Sequence, residues 1–158
     1  TWAAAGGITM ADQFRLTTDL TADADPISSN LERIDTNPQG TLGSGMSVSS
    51  GIFTFPSTGI YLVSFDGEFS ASGGGGDSIR VDLKSTTDNF SSVDTAVATT
   101  RVGASVIRPF FARCQSLTDV SNVKVKFKLS SVDSGTTRLE GDTSENLATF
   151  TFIRLGDT

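Results

Sequence analysis

The chain contains no histidine. That absence excludes a Ser-His-Asp triad, an imidazole general base and any zinc site built on histidine ligands. With a single cysteine, Cys114, no internal disulfide can form, and a thiol nucleophile would lack the imidazole that normally activates it. Cys114 therefore reads as a small buried hydrophobe, and the missing disulfide fits assembly in a reducing cytoplasm. Lysine and glutamate are scarce, four of each in 158 residues, which removes the usual helix formers. No apolar run approaches the ~20 residues of a membrane span, and no secretory signal pattern opens the sequence. A net charge of −6 argues against nucleic acid and membrane insertion as its business.

What is abundant is Ser, Thr, Gly, Val and Phe, the composition of strands and tight turns. A chain of 158 residues makes one domain able to bury roughly two thirds of its unfolded surface, with no need of metal or disulfide. Residues 1–10 are expected to form an N-terminal arm, small-residue in character over Thr1–Gly7, and residues 11–158 a single head. Such an arm suggests the C-terminal part of a longer or processed protein.

The organising stretch is Ser50–Phe69, SGIFTFPSTGIYLVSFDGEF. It predicts a strand over Gly51–Phe55, a tight turn on Pro56 to Gly59 and a longer strand over Ile60–Phe69, together a central hairpin. Tyr61, Val63 and Phe65 alternate with Ile60, Leu62 and Ser64, so both faces of the second arm begin apolar, as on a strand between two packed layers. Upstream, strands are expected over Ala11–Leu20 and Asn30–Asp35, with an irregular edge strand over Thr41–Ser50. Downstream, Ser78–Thr86, Val93–Gly103, Ser105–Leu117, Asn122–Ser131 and Leu147–Leu155 follow, with Thr137–Leu139 between loops. Nine or ten short strands with no helical period predict an all-β, antiparallel jelly-roll sandwich.

The spacing Gly51-x-Phe53-x-x-Pro56-x-x-Gly59-x-Tyr61 resembles the motif of the complement component 1 q globular heads, members of the tumour-necrosis-factor-like superfamily of trimeric jelly rolls. The aromatic closing strand, LATFTFIRL, is similar to the pattern of those heads. The phrases DQFRLTTDL, NLERIDTNPQGTLGSGM, SGIFTFPSTGIYLVSF and TFIRLGDT also resemble a family of virion proteins of marine bacteriophages. That second resemblance implies a structural role on a virus particle. The sequence departs from the complement heads in lacking their acidic calcium signature and any collagen stalk.

Candidate chemistry is thin. Asp66 and Glu68, two apart on one strand, would stand roughly 7 Å apart, a separation a glycosidase can use; nothing marks a sugar cleft beside them, and no enzyme is expected. Glu140, Asp142, Glu145 and Asn146 make an oxygen-rich loop of the donor type calcium takes. It lacks the D-x-[DN]-x-[DN]-G order, so a solvated acidic turn is the preferred reading, with an ion shared by three copies as the alternative. No other cofactor is expected. The stripe Lys124, Lys126 and Lys128 suits either the guarding of an edge strand or the binding of acidic sugars, and the first is preferred. Phe110 and Phe111 are adjacent, so on a regular strand one must leave the core. With Phe150 and Phe152, on a closing strand apolar on both faces, they are the candidate subunit interface. Gly74, Gly75 and Asp77 in a four-glycine loop, Phe90 in the next, and Arg138 are the candidate receptor contacts.

The expected protein is a non-enzymatic homotrimeric head on a phage particle, assembled in the host cytoplasm and displayed on the virion surface. Its partners would be itself, other virion proteins and a host surface glycan or protein. Two jobs fit: the tip of a tail or head fibre, or a decoration protein on the capsid. The alternative is a secreted cellular adhesion or carbohydrate-binding module of the complement-head type.

Overall fold

The computed structural model describes residues 7–71, 79–102, 110–133 and 135–158. Among these residues there are twelve strands and no helix. In chain order they are β1 (Met10–Leu16), β2 (Leu31–Arg33), β3 (Ser47–Ser49), β4 (Ile52–Thr54), β5 (Gly59–Gly67) and β6 (Phe69–Ala71). The second half holds β7 (Ile79–Thr86), β8 (Thr95–Val102), β9 (Phe110–Leu117), β10 (Lys124–Ser130), β11 (Thr137–Leu139) and β12 (Ala148–Gly156). One five-stranded sheet runs β2-β1-β12-β5-β9, a second runs β3-β4-β10-β7-β8, and β11-β6 form a two-stranded ribbon. Every pairing is antiparallel. This is the expected jelly-roll sandwich, with more strands than the nine or ten predicted. Part of the surplus arises where the predicted strand Ile60–Phe69 breaks at Glu68, its end joining the ribbon as β6.

Period-two alternation decides what each strand buries. From β1 come Met10 and Phe14, from β5 Tyr61, Val63 and Phe65, from β12 Phe150 and Phe152; across the gap stand Phe53, Val81, Leu83, Val125, Phe127 and Leu129, all buried. Phe53 is the hub, with ring centroids 4.9 Å from Phe152, 5.2 Å from Phe14 and 5.8 Å from Phe127. Phe127 in turn lies 4.6 Å from Phe150. Each such tilted or edge-on pair adds about 0.5–1.5 kcal/mol beyond its buried area. Met10 belongs to this core, so the head starts before the predicted boundary at residue 11.

The predicted central hairpin is not a hairpin. β4 pairs with β3 and β10 in one sheet, while β5 pairs with β12 and β9 in the other, so 55–59 is a corner joining the two layers. Phe55 and Tyr61 face each other across it at 4.7 Å, and the Tyr61 hydroxyl donates to the Ser57 carbonyl at 2.9 Å. Those contacts fold the two arms into the inter-sheet space, where a ladder between them would turn one arm's phenylalanines to solvent. The two glycines of the motif are fitted to it. Gly51 has φ +76, and a Cβ there would meet the Ile27 carbonyl oxygen at 2.3 Å; Gly59 has φ +148, and its Cβ would meet the Gly156 oxygen at 2.6 Å. Neither position has room for a side chain, nor a backbone that L-residues favour.

Replacing Phe127 with alanine is expected to cost about 3–5 kcal/mol in chemical unfolding, because five neighbouring rings lose their partner and cannot close the gap. A loss below about 1 kcal/mol would contradict the close-packed seam.

Candidate functional site

The structure moves most of the predicted contact residues. Phe111, Phe150 and Phe152 point between the sheets; Phe150 and Phe152 are fully buried, and Phe111 lies 5.7 Å from Phe65. They cannot serve a partner chain. The reason is register: on β12 the odd positions Thr149, Thr151 and Ile153 face outward, and the aromatic positions face the core. Phe110 lies opposite Asp66 at the start of edge strand β9, and its side chain is outside the described residues, as is that of Cys114. Gly74, Gly75 and Asp77 are also outside the described residues.

Loop 87–92 is a built turn. The Thr86 hydroxyl accepts the amides of Asp88 and Phe90 at 3.1 and 2.9 Å, and the Asp88 carboxylate takes the Ser92 hydroxyl and the Ser92 and Val93 amides. The hydroxyls of Ser92 and Thr86 hold that carboxyl well below the usual range. Phe90 is half-buried, its ring 4.7 Å from the Lys126 ammonium. Arg138 pairs with Asp19 and Glu140 at 3.1 and 3.0 Å. The acidic loop gathers no donor set: Glu140 faces Arg138, and Asp142 accepts the amides of Ser144 and Glu145 at 2.6 and 3.0 Å. Among the described residues no three carboxylates or thiols converge as metal ligands. Asp66 ends β5 on the outer face, while Glu68 sits in the break before β6, its amide donating to Leu147; they are not neighbours on one strand.

The two outer faces of the sandwich differ in kind. On the β3-β4-β10-β7-β8 sheet the lysine stripe lies on the central strand, not on an edge, which corrects the guarding role. Lys84 and Lys126 are directly opposite in register, a destabilising like-charge pair. Asp94 resolves it, 3.0 Å from Lys84 and 2.9 Å from Lys126, while Asp25 holds Lys126 at 3.1 Å and Lys128 at 3.0 Å. Burial alone would raise the Asp25 and Asp94 carboxyls. Hydrogen bonds from Lys128 and Lys126 to Asp25, and from Lys126 and Lys84 to Asp94, outweigh it and hold both below the ordinary range.

The outer face of the β2-β1-β12-β5-β9 sheet carries a different pattern. Leu42, Ala11, Ile153 and Leu62 form one cross-strand row, and the row continues in register to Cys114. The next row is Gln13, Thr151, Ser64 and Ala112, uncharged throughout. Charge returns in the following row, with Arg15, bonded to Glu32 at 3.1 Å, and Asp66. At the other end of β12, Arg154 is in phase with the inward Met10 and Tyr61 and is bonded to the Thr58 carbonyl and to Asp157. Two cavities of about 240 and 220 Å³ share Thr9 and Arg154 beside that end. Asp157 is the one carboxylate in their lining, which offers no acid–base pair.

Sequence reasoning missed Asp12. It lies on the inward side of β1, fully buried, and accepts Arg33 Nε and Nη2 at 2.9 and 3.1 Å, the Thr41 hydroxyl at 3.1 Å and the Met46 amide at 2.7 Å. Arg33 also donates to the Met46 carbonyl and lies 4.9 Å over the Phe14 ring. One carboxylate thus ties β1 to β2 and to the chain before β3. The signal was a charged residue in phase with Met10 and Phe14.

Neither a family model nor a curated protein matches the sequence. Solved structures match the fold. The Eiger tumour necrosis factor of S. frugiperda aligns with a TM-score of 0.64 at 13% identity, covering 96% of each chain. Murine APRIL, solved at pH 5.0, aligns with a TM-score of 0.66 at 9% identity over 92% of this chain and 98% of the other. The fold is the tumour-necrosis-factor-like jelly roll.

Two outcomes follow. Asp12→Ala leaves Arg33 facing a buried void and is expected to destabilise by about 3–5 kcal/mol in chemical unfolding. For Asp25 and Asp94, a depressed carboxyl contributes stability above about pH 3.9, and that contribution is lost as pH falls through the lower folded values. The melting temperature of Asp94→Asn should therefore lie below wild type at pH 6 and converge with it toward pH 2. Parallel curves would show that the Lys84–Asp94–Lys126 bridge carries no stability.

Proposed function

We propose that this chain is a non-enzymatic, self-associating head of the tumour-necrosis-factor-like type, forming homotrimers on a bacteriophage particle. What carries self-association is the contrast between the two outer faces. One is laced with ion pairs to its own loops, whereas the other offers the uncharged rows through Ile153 and Leu62, with Ile60 exposed beside them. A sheet face with a depleted charge centre and a charged rim is the anatomy of a subunit interface. The packed side of the fold is already complete within one chain, so trimerisation would bury this second face rather than the aromatic core.

The virion assignment is supported by the resemblance of long phrases, NLERIDTNPQGTLGSGM and SGIFTFPSTGIYLVSF above all, to virion proteins of marine bacteriophages. The reading adopted is a fibre head that meets the host surface, with loop 87–92 and Arg138 on the β11-β6 ribbon as contact elements. It needs no cofactor.

Light scattering on a sizing column should return three times 16.5 kDa, unchanged by chelator, and Ile153→Asp should return a folded monomer. A wild-type monomer would sink the trimer. Binding of labelled head to host cells would support the fibre role; binding to emptied capsids instead would turn the assignment to decoration.

A further inference from the structure

The ion-paired sheet face carries two like-charge pairs in register, and the fold treats them differently. Lys84 opposite Lys126 is bridged by Asp94 and Asp25. Arg80 on the same strand β7, opposite Arg101 on β8, is not. The one carboxylate in contact there is Asp82, 2.8 Å from Arg80 Nη2 and almost wholly buried. Arg101 is exposed and has no ion-pair partner among the described residues. Asp23, at the margin beyond β10, spends its carboxylate on the Val132 amide at 2.9 Å.

The third member of the row is Ser130, opposite Arg80 on β10. Arg80 Nε and Ser130 Oγ are both buried and both without a hydrogen-bond partner. Buried polar atoms left without a partner are destabilising, and a ligand oxygen that meets them relieves that cost. The Arg80 side chain is 38% exposed, so part of its guanidinium reaches the surface while Nη2 stays on Asp82. A row of one hydroxyl and two guanidinium groups, carrying more positive charge than its carboxylate cancels, has the donors and the charge of an oxyanion site. Guanidinium forks match the paired oxygens of sulfate and carboxylate. The surroundings disfavour nucleic acid: among the described residues the aromatic ring on this face is Phe90, half-buried and committed to Lys126, so no platform is left for base stacking.

We propose that Ser130, Arg80 and Arg101 form a binding site for an oxyanion group, the sulfate or carboxylate of an acidic glycan. This names a ligand class for the host-contact reading and rests on that reading only for its biological use. The site lies within one chain, so it stands or falls separately from the trimer and the virion assignment.

The test is a nitrogen-15 NMR titration of the intact chain with sodium sulfate against sodium chloride of equal ionic strength, followed on the Arg80 Nε–H signal. A sulfated oligosaccharide, an oligogalacturonate and a single-stranded oligonucleotide serve as further arms. Saturable shifts of Arg80 and Ser130 with sulfate are expected, with tighter binding of one of the two oligosaccharides. Arg101→Gln and Ser130→Ala should each weaken binding, Arg101→Gln by roughly tenfold. Lys124→Gln removes the same charge from the same face and should change little. Arg80 itself is left intact because its loss would strand buried Asp82. Absence of saturable shifts overturns the site, as does equal weakening by Lys124→Gln and Arg101→Gln, which would mean diffuse charge. Sulfate binding without gain from either oligosaccharide keeps the oxyanion site and overturns the glycan as its source; tightest binding of the oligonucleotide does the same.

Discussion

The aromatic seam around Phe53 is the constraint to which everything else conforms. Nine phenylalanines and Tyr61 contact one another between the sheets. In a strand only every second residue can reach such a seam, so the alternate positions are forced outward whatever their chemistry. The seam also demands that β4 and β5, joined by four residues, lie in different layers. Pro56, the Tyr61 hydroxyl and Gly59, which has no space for a side chain, are the means by which the corner meets that demand.

Because the core is filled from within one chain, association and recognition fall to the outer faces. Their difference is electrostatic. A charged strand at the middle of a sheet cannot direct its lysines into open water on every side, so like charges meet in register and must be bridged. The loops supply the bridges: Asp25 from the crossing segment before β2 and Asp94 from the turn before β8. The opposite sheet carries Thr, Ser, Gln, Ala and Ile in the equivalent places and needs no such bridging, which leaves it fit to meet a neighbour. Asp12 does comparable work inside the fold, using one buried carboxylate to secure an edge that has little apolar surface of its own.

The alternation in the amino-acid sequence was enough to determine an all-β sandwich and most of its strand positions. These are local properties, set by a period of two and by turn residues. What the sequence left open was which strand lies beside which, and every error traces to that. The 51–69 stretch has a hairpin's turn but its arms serve different sheets. The lysine stripe has the look of an edge but sits at the centre. Phe150 and Phe152 have the alternation of a two-faced strand, yet the outward places went to Thr149, Thr151 and Ile153. Pairing depends on contacts between residues far apart in the chain, as over the 138 positions from Gln13 to Thr151, and the free energy of such contacts is spread over the whole layer rather than written into any one segment. Tertiary structure alone therefore decided that Asp94 would meet Lys126, that Asp12 would meet Arg33, and that Arg80 would stand opposite Arg101.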